Sequence, residues 1–213
     1  MVERYSAGAR FYDVLSGELF VYRSGRIAGI AALGLSRGDI VLDLGCGTGL
    51  NFPLLLDAVG HTGLVIGIDR SPSMLRVAAA RVARRGWANV RFIEADLMTV
   101  DVASIASIAA AERGRPMVDA AFASYSLSVV DDRVPVWLRI RQSLRPGGRV
   151  GIVDMALPTG AAAVFAPLAR LACAAGGADL SAAPWRELER TGTELAHTVH
   201  RGGHIHAVTG TLA

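Results

Sequence analysis

Five short apolar runs alternate with helix-period segments through the middle of this chain, and that alternation limits the fold more than any other feature. The runs are IVLDL (40–44), LVIGID (64–69), VRFIEA (90–95), VDAAFAS (118–124) and RVGIVDM (149–155). Between them lie FPLLLDAV, PSMLRVAAARVARR, residues 101–112 and RVPVWLRIRQSL, with apolar residues at three- and four-residue spacing. A strand that is apolar along nearly its whole length is buried on both faces, and such strands joined by helices form a parallel sheet covered on both sides. Ser71 is expected to cap the helix that opens at Pro72. Residues 1–35 also carry helical spacing. The tail departs from the pattern: PWRELERTG reads as a helix. TELAHTVH and HIHAVTGTL read as two strands joined across Gly202 and Gly203, an antiparallel hairpin on the sheet edge.

A chain of 213 residues, 52% of them hydrophobic, is sized for one domain with a large core. The net charge is only +3, and the 22 basic residues are dispersed. No basic stripe interleaved with aromatics occurs, so nucleic acid is not an expected partner. Cys46 and Cys173 form no C-x-x-C pair, which leaves a disulfide framework and a zinc site unsupported and fits a reducing cytosol. The opening MVERYSAGAR lacks the apolar stretch of a signal peptide. The longest uncharged run, 155–169, is broken by Pro158, Gly160 and Pro167 and is too short to span a bilayer. A cytoplasmic protein is expected.

The chemistry concentrates at VLDLGCGTGLN (41–51), directly after the first apolar run. In a parallel α/β sheet, ligands bind at the carboxyl ends of the strands where strand order reverses. Gly45, Gly47 and Gly49 can adopt backbone angles closed to other residues and let a ligand lie against bare main chain. The dinucleotide pattern G-x-G-x-x-G fails, because its last position is Leu50, and no G-K-S/T follows to make a phosphate loop. A glycine loop by itself fits a tight turn equally well. Its partners argue for more. Asp69 ends the second run, where a carboxylate can accept from both hydroxyls of a ribose. Asp96 follows the third, placed to accept from an adenine amino group while the Leu97 amide donates to the ring. Asp43 puts negative charge beside the loop. Three carboxylates without a basic clamp suit a ligand with hydroxyls and positive charge and suit a pyrophosphate poorly.

DLGCGTG, GIDRSPSML, ADL and SLRPGGRVGIVD together resemble, in order and spacing over residues 37–155, the class I S-adenosylmethionine-dependent methyltransferases. The resemblance implies a Rossmann-like, seven-stranded, mostly parallel sheet with helices on both faces and an antiparallel final strand. It implies S-adenosyl-L-methionine as cofactor and no metal. The expected cofactor-binding set is Asp43, Gly45, Gly47, Gly49, Asp69, Arg70, Met74, Asp96, Leu97 and Ser124. The expected organisation is one domain: a helical lid (1–36), a cofactor-binding core (37–155), and a cap segment with the hairpin (156–213).

Tyr125, just past the fourth run, and Tyr12, in ARFYDVLSG, are the expected acceptor-side residues. Tyr125 is expected to pack on the sulfonium region or on a methylated ammonium, with a half-buried core aromatic as the plainer alternative. Within the family, YDVLSG, YSLSVV and VDM look like the branch that N-methylates lipid amines. The ubiquinone/menaquinone C-methyltransferases are near neighbours that typically carry an Arg-Asn pair where this chain has Ser128 and Val129. The expected acceptor is therefore a small-molecule or lipid amine. The alternatives are C- or O-methylation of a quinol or other soluble small molecule, and a non-catalytic protein that binds the cofactor. The apolar segment 156–175 reads either as an acyl-chain groove or interfacial helix, in peripheral contact with a membrane, or as ordinary packing or a homo-oligomer face. His197, His200, His204 and His206 crowd the hairpin, with 204 and 206 at the two-residue spacing of one sheet face. An exposed edge hairpin is expected there rather than a metal site. Trp137 is expected in the core, and no reactivity is assigned to Cys46.

Overall fold

The five apolar runs become five parallel strands of a single sheet. In the computed structural model, which describes residues 22–212, they are β1 (Ile40–Leu44), β2 (Leu64–Asp69), β3 (Val90–Glu94), β4 (Val118–Ser124) and β5 (Leu144–Met155). Every residue of β1 and β4 is buried, as a strand covered on both faces requires. The tail supplies β6 (Gly192–His200) and β7 (Ile205–Leu212). The strand order is β3-β2-β1-β4-β5-β7-β6. β7 runs antiparallel to β5 and β6 runs antiparallel to β7, so the expected hairpin closes one edge of the sheet.

Helices α1 (Arg23–Leu33), α2 (Phe52–Val59) and α3 (Pro72–Arg85) cover one face through Ile30, Leu33, Phe52, Leu55, Val59, Leu75 and Ala78. Helices α4 (Val102–Arg113), α5 (Val134–Ser143) and the short helix at Arg186–Thr191 cover the other through Ile105, Ala109, Trp137, Ile140 and Leu188. Trp137 lies in this core, 7% exposed. α3 begins as its sequence dictates: Ser71 takes an extended backbone and its hydroxyl accepts from the Met74 amide at 3.4 Å. The helix stops at Gly86, left-handed at φ 65, with Arg84 and Arg85 beside its negative end.

Two small residues let α1 lie close to the sheet. A Cβ on Gly25 would stand 2.7 Å from the Ile205 side chain, and one on Gly29 would overlap Val153. Glycine inside a helix costs about 1 kcal/mol relative to alanine, and the close approach it permits here carries Arg26 toward the strand ends. At the opposite end of the sheet, Asp119 ties three elements together. Its carboxylate accepts from the Ile40 amide at 2.7 Å and pairs with Arg115 at 2.7 Å and Arg145 at 2.8 Å. Burial alone would raise the Asp119 carboxyl, but these hydrogen bonds outweigh it and hold the group below the usual carboxylate range.

The segment after β5 folds into a 3₁₀ turn (Gly160–Phe165) and α6 (Ala166–Gly176), laid over the carboxyl ends of β4 and β5. The Cys173 and Met155 sulfurs are 3.6 Å apart, the Asp179 amide donates to the Ser128 carbonyl at 3.0 Å, and the Thr159 amide donates to the Gly202 carbonyl at 2.8 Å. Its outer side is uncovered: Val164, Phe165, Leu168 and Leu171 are 62–73% exposed. Among the described residues, no helix is long and apolar enough to cross a membrane.

Candidate functional site

Strand order reverses between β1 and β4, which flank each other in parallel register with Leu44 beside Ala123. A crevice at such a reversal is where α/β sheets hold their ligands. The glycine loop follows β1 at this point and is anchored by two amides, Gly45 and Cys46, that donate to the Ile68 carbonyl at 2.8 and 3.0 Å. Its three glycines all have positive φ: 68° at Gly45, 54° at Gly47 and 78° at Gly49. The sterics differ. A Cβ on Gly45 would stand 2.5 Å from Ser126 Cβ, and one on Gly49 would stand 2.6 Å from the Phe52 ring, whereas one on Gly47 would meet no atom within 4 Å. Gly47 therefore presents bare main chain to open space.

Asp69, at the end of β2, closes this edge. Its carboxylate accepts from the Gly47 amide at 2.8 Å and the Ser71 amide at 2.9 Å. Burial still raises the carboxyl above its ordinary value despite those two bonds. Arg70 reaches across to Asp96 at 3.7 Å. Asp96 anchors its own loop: one oxygen accepts from the Met98 amide at 2.8 Å, and its carbonyl accepts from the Val100 amide at 2.8 Å. Leu97 and Met74 are buried beside these loops. Burial pushes the Cys46 thiol well above its ordinary value, which keeps it in the unreactive form.

On the β4 side the structure assembles a polar cluster that sequence reasoning did not find. Asn51, at the head of α2, donates through Nδ2 to Asp43 Oδ1 at 2.7 Å and to Ser124 Oγ at 3.0 Å. Arg26 of α1 donates to Asn51 Oδ1 at 3.0 Å and to Ser124 Oγ at 2.6 Å. Asp43 is fully buried, and its second oxygen has no hydrogen-bond partner in the structure. Burial pushes this carboxyl up to about 7, against the opposing pull of Asn51 and of the Arg26 charge. The one sequence signal for Arg26 was its position between Gly25 and Gly29, which mark a close helix approach.

Tyr125 follows Ser124 with φ 55, a left-handed angle unusual for a bulky residue. Its hydroxyl donates to the Tyr22 carbonyl at 2.8 Å, its ring lies 4.9 Å from that of Tyr22, and the Arg26 guanidinium stands 5.0 Å from its centroid. The ring is thus engaged by Tyr22 and α1 and packs, partly buried, against the core on that face. Tyr12 lies outside the described residues.

The hairpin histidines do not act as one group. His204 sits in the turn before β7, with Nδ1 2.7 Å from the Ala156 carbonyl and its ring 6.1 Å from Tyr22. His206 lies on the strand itself and stacks on Trp185 at 4.2 Å, on the opposite face of the sheet. The two-residue alternation expected to align them fails because the turn at 201–204 is not extended chain. His197 pairs with His206 at 2.9 Å and with Glu189 at 2.9 Å. Among the described residues, no group of three His, Cys, Asp or Glu side chains is arranged to hold a metal ion.

A glycine cradle, a carboxylate at the end of β2, an acid after β3 and a buried acid at the strand reversal gather at one edge of this α/β sheet. These residues suit a ligand with a ribose diol and a cationic end. Residues 41–148 match the model of the methyltransferase domain family. The chain belongs to that family. It is 33% identical over 151 residues to the 2-phytyl-1,4-beta-naphthoquinone methyltransferase of Arabidopsis thaliana, covering 68% of this chain and 54% of that protein. It is 32% identical over 127 residues to the demethylmenaquinone methyltransferase of Lactococcus lactis, covering 60% and 46%. The chain thus spans about half the length of the curated relatives it matches. An S-adenosylmethionine-dependent methyltransferase from Aquifex aeolicus superposes with a TM-score of 0.66 at 18% identity, over 92% of this chain and 93% of that one.

Proposed function

We propose that the protein transfers the methyl group of S-adenosylmethionine to a ring carbon of an apolar-tailed quinol, rather than to the amine expected from the sequence. The observation that carries this reading is the uncovered row Val164, Phe165, Leu168 and Leu171 above the strand ends. Such a row suits an acceptor with a long hydrocarbon tail, or the lipid surface that delivers it. Segment 156–178 contributes no acidic residue and only Arg170, so nothing in it repels an anionic lipid headgroup. The names of the sequence relatives, which act on naphthoquinone and demethylmenaquinone, support the same class. The Tyr125 ring, proposed from sequence as a seat for a methylated ammonium, is already engaged by Arg26 and Tyr22.

The cofactor supplies a sulfonium-bound methyl group. The protein aligns that methyl with the acceptor carbon in a site closed to water, and alignment of this kind is worth on the order of 7–11 kcal/mol. A carbon–sulfur bond breaks and a carbon–carbon bond forms, the sulfur keeps the electron pair, and the acceptor releases one proton overall. A quinol hydroxyl needs a base to become nucleophilic. His204 is suited to that role. Its Nδ1 lies 2.7 Å from the Ala156 carbonyl, which only accepts, so in the neutral ring the proton sits on Nδ1 and the lone pair on Nε2. In this reading Asp69 holds the ribose, Asp96 and Leu97 the adenine, and the glycine loop the amino-acid end. Tyr12 is proposed for the acceptor side.

The test is incubation with methyl-labelled S-adenosylmethionine and a total lipid extract, followed by separation of quinones, polar lipids and water-soluble products. Label in the quinone fraction is expected. Label confined to polar-lipid amines or to the aqueous fraction refutes the quinol reading.

A further inference from the structure

Under the short helix Arg186–Thr191, four groups stand in a line on one face of the sheet. The Glu189 carboxylate is 2.9 Å from His197 Nδ1, His197 Nε2 is 2.9 Å from His206 Nδ1, and His206 Nε2 is 3.1 Å from the Gly203 carbonyl. His197 pairs with Val208 and His206 with Val199 between β6 and β7, so the two rings are diagonal neighbours on that face. Trp185 stacks on the His206 ring at 4.2 Å with an interplanar angle of 9°, which fixes the plane of that ring. Both ends of the line only accept: a carboxylate at one and a carbonyl at the other. Three hydrogen bonds need three protons, and two neutral imidazoles carry one N–H each. With two protons, one contact of the three sets lone pair against lone pair. The line ends on a turn that other groups depend on. The Gly202 carbonyl accepts from the Thr159 amide of the cap segment at 2.8 Å, and His204 follows Gly203.

We propose that Glu189, His197 and His206 together hold one proton more than two neutral rings carry, and that this proton braces the turn at 201–204, with His204 and the edge of the cap, against the short helix. An imidazolium is a weaker acid than a carboxylic acid, so the third proton sits on a ring rather than on Glu189. His197, beside the carboxylate, takes it and donates from both nitrogens. His206 stays neutral, accepts at Nδ1 and donates from Nε2 to Gly203. Burial holds His206 below its ordinary value of 6.5, and the His197 charge adds to that effect, which matches a pair that takes one proton and resists a second. Other groups face the pair from every side. Glu189 and His204 act on His206 from the helix and the turn. Asp154 pairs with His206 across β5 and β7, its oxygens bonded to the Ser128 and Met155 amides. Glu187 and Arg190 of the helix pair with each other at 2.6 Å, and Arg141 of α5 acts on Glu187. Arg186 and Arg201 lie at the start of the helix and in the turn. The folded chain favours the singly protonated pair, so the brace is complete at low pH and opens as pH rises and that proton leaves. In strong acid a second proton charges both rings and opens the contact between them. The consequence for His204 as a base rests on the quinol reading; the brace itself does not.

The experiment follows the imidazole nitrogens of the full chain, isotopically labelled in histidine, by NMR from about pH 5 to pH 8, with neither cofactor nor acceptor present. His197 is expected with protons on both nitrogens and His206 as the neutral ring protonated on Nε2. Loss of the His197 proton is expected to shift the His206 nitrogens in the same step. Two neutral rings across the whole range, or two rings that titrate independently, overturn the proposal. Glu189→Gln supplies a second test. A glutamine amide can donate where the carboxylate only accepts, so the line is complete with two neutral rings and needs no third proton. Hydrogen exchange of the Thr159 amide reads the link between the turn and the cap. In the wild type its protection factor is expected to fall by about fivefold as the His197 proton leaves, the scale of one hydrogen bond, and in Glu189→Gln to stay within about twofold. An equal fall in both proteins overturns the proposal, and so does no fall in the wild type. Should Glu189→Gln not fold, the nitrogen spectra of the wild type decide the matter. None of these measurements involves the acceptor, so failure of the quinol reading would be visible separately.

Discussion

Gly47→Ala separates a loop that merely turns from a loop that carries a ligand. Gly47 has φ 54, and alanine at a left-handed angle costs about 1–2 kcal/mol. No packing penalty adds to this, because the new methyl would meet no protein atom within 4 Å. The Gly47 amide would keep its bond to Asp69. The variant is therefore expected to fold with a loss of about 1–2 kcal/mol, read by urea denaturation. Cofactor binding should fall by a comparable free energy on top of this, because the methyl occupies the space in which the cofactor is proposed to lie against the loop. Displacing that ligand strains or removes one or two hydrogen bonds of about 1 kcal/mol each, so S-adenosylhomocysteine affinity should fall by about tenfold or more in calorimetry. Gly49→Ala supplies the contrast. Its methyl would be forced against the buried Phe52 ring, 2.6 Å away, on a backbone at φ 78, so the loss there is of stability first. A folded Gly47→Ala protein that binds S-adenosylhomocysteine like the wild type would refute the argument that this loop cradles the ligand.

Asp69→Ala should weaken S-adenosylhomocysteine and methylthioadenosine alike, by about 1.5–3 kcal/mol, since the ribose is common to both; unchanged calorimetric affinity removes Asp69 from the site. Asp43 should make the unliganded protein less stable as pH rises. Its carboxyl is raised to about 7 from 3.8, so the folded state binds the proton more tightly, and the stabilisation present at low pH is lost on the way up to pH 7. Asp43→Asn mimics the protonated form and should abolish a loss on the order of 2 kcal/mol between pH 5 and pH 7, and parallel stability–pH curves for the two proteins would contradict the assignment. Asp119 behaves in the opposite sense. Its carboxyl is lowered, so its contribution is present at neutral pH and disappears as pH falls through the folded value; Asp119→Ala should lower the midpoint of thermal unfolding at pH 7, with the difference from wild type narrowing in acid.

The parallel sheet was legible because its determinants are local. A run such as IVLDL is apolar at every position but one, and burial on both faces follows whatever the rest of the chain does. The helix stops at Gly86 and Gly114 and the cap at Ser71 are likewise written in single residues with special backbone angles or short side chains. The glycine loop with Asp69 and Asp96 was readable for the same reason: each acid closes or follows a strand, and a parallel sheet brings those ends to one edge. The element boundaries shifted by a residue or so, as with α4, which begins at Val102 because Asp101 takes the extended cap position.

What the sequence could not determine is which distant groups meet. Arg26 looked like any basic residue on a helix, and only the seating of α1 on two glycines brings it to Asn51 and to Ser124, 98 positions away. Tyr125 has a left-handed backbone and its hydroxyl donates to the Tyr22 carbonyl, a contact that no local pattern announces. His204 and His206 were expected on one face, and the tight turn at Gly202 and Gly203 puts them on opposite ones. Period and propensity act over a few residues, and they set the layers of this fold and the sheet edge at which its glycine loop and acids gather. The charges within the site depend on packing between elements far apart in the chain, which only the folded structure decides, because burial and partner distance set a side chain's protonation and hydrogen bonding.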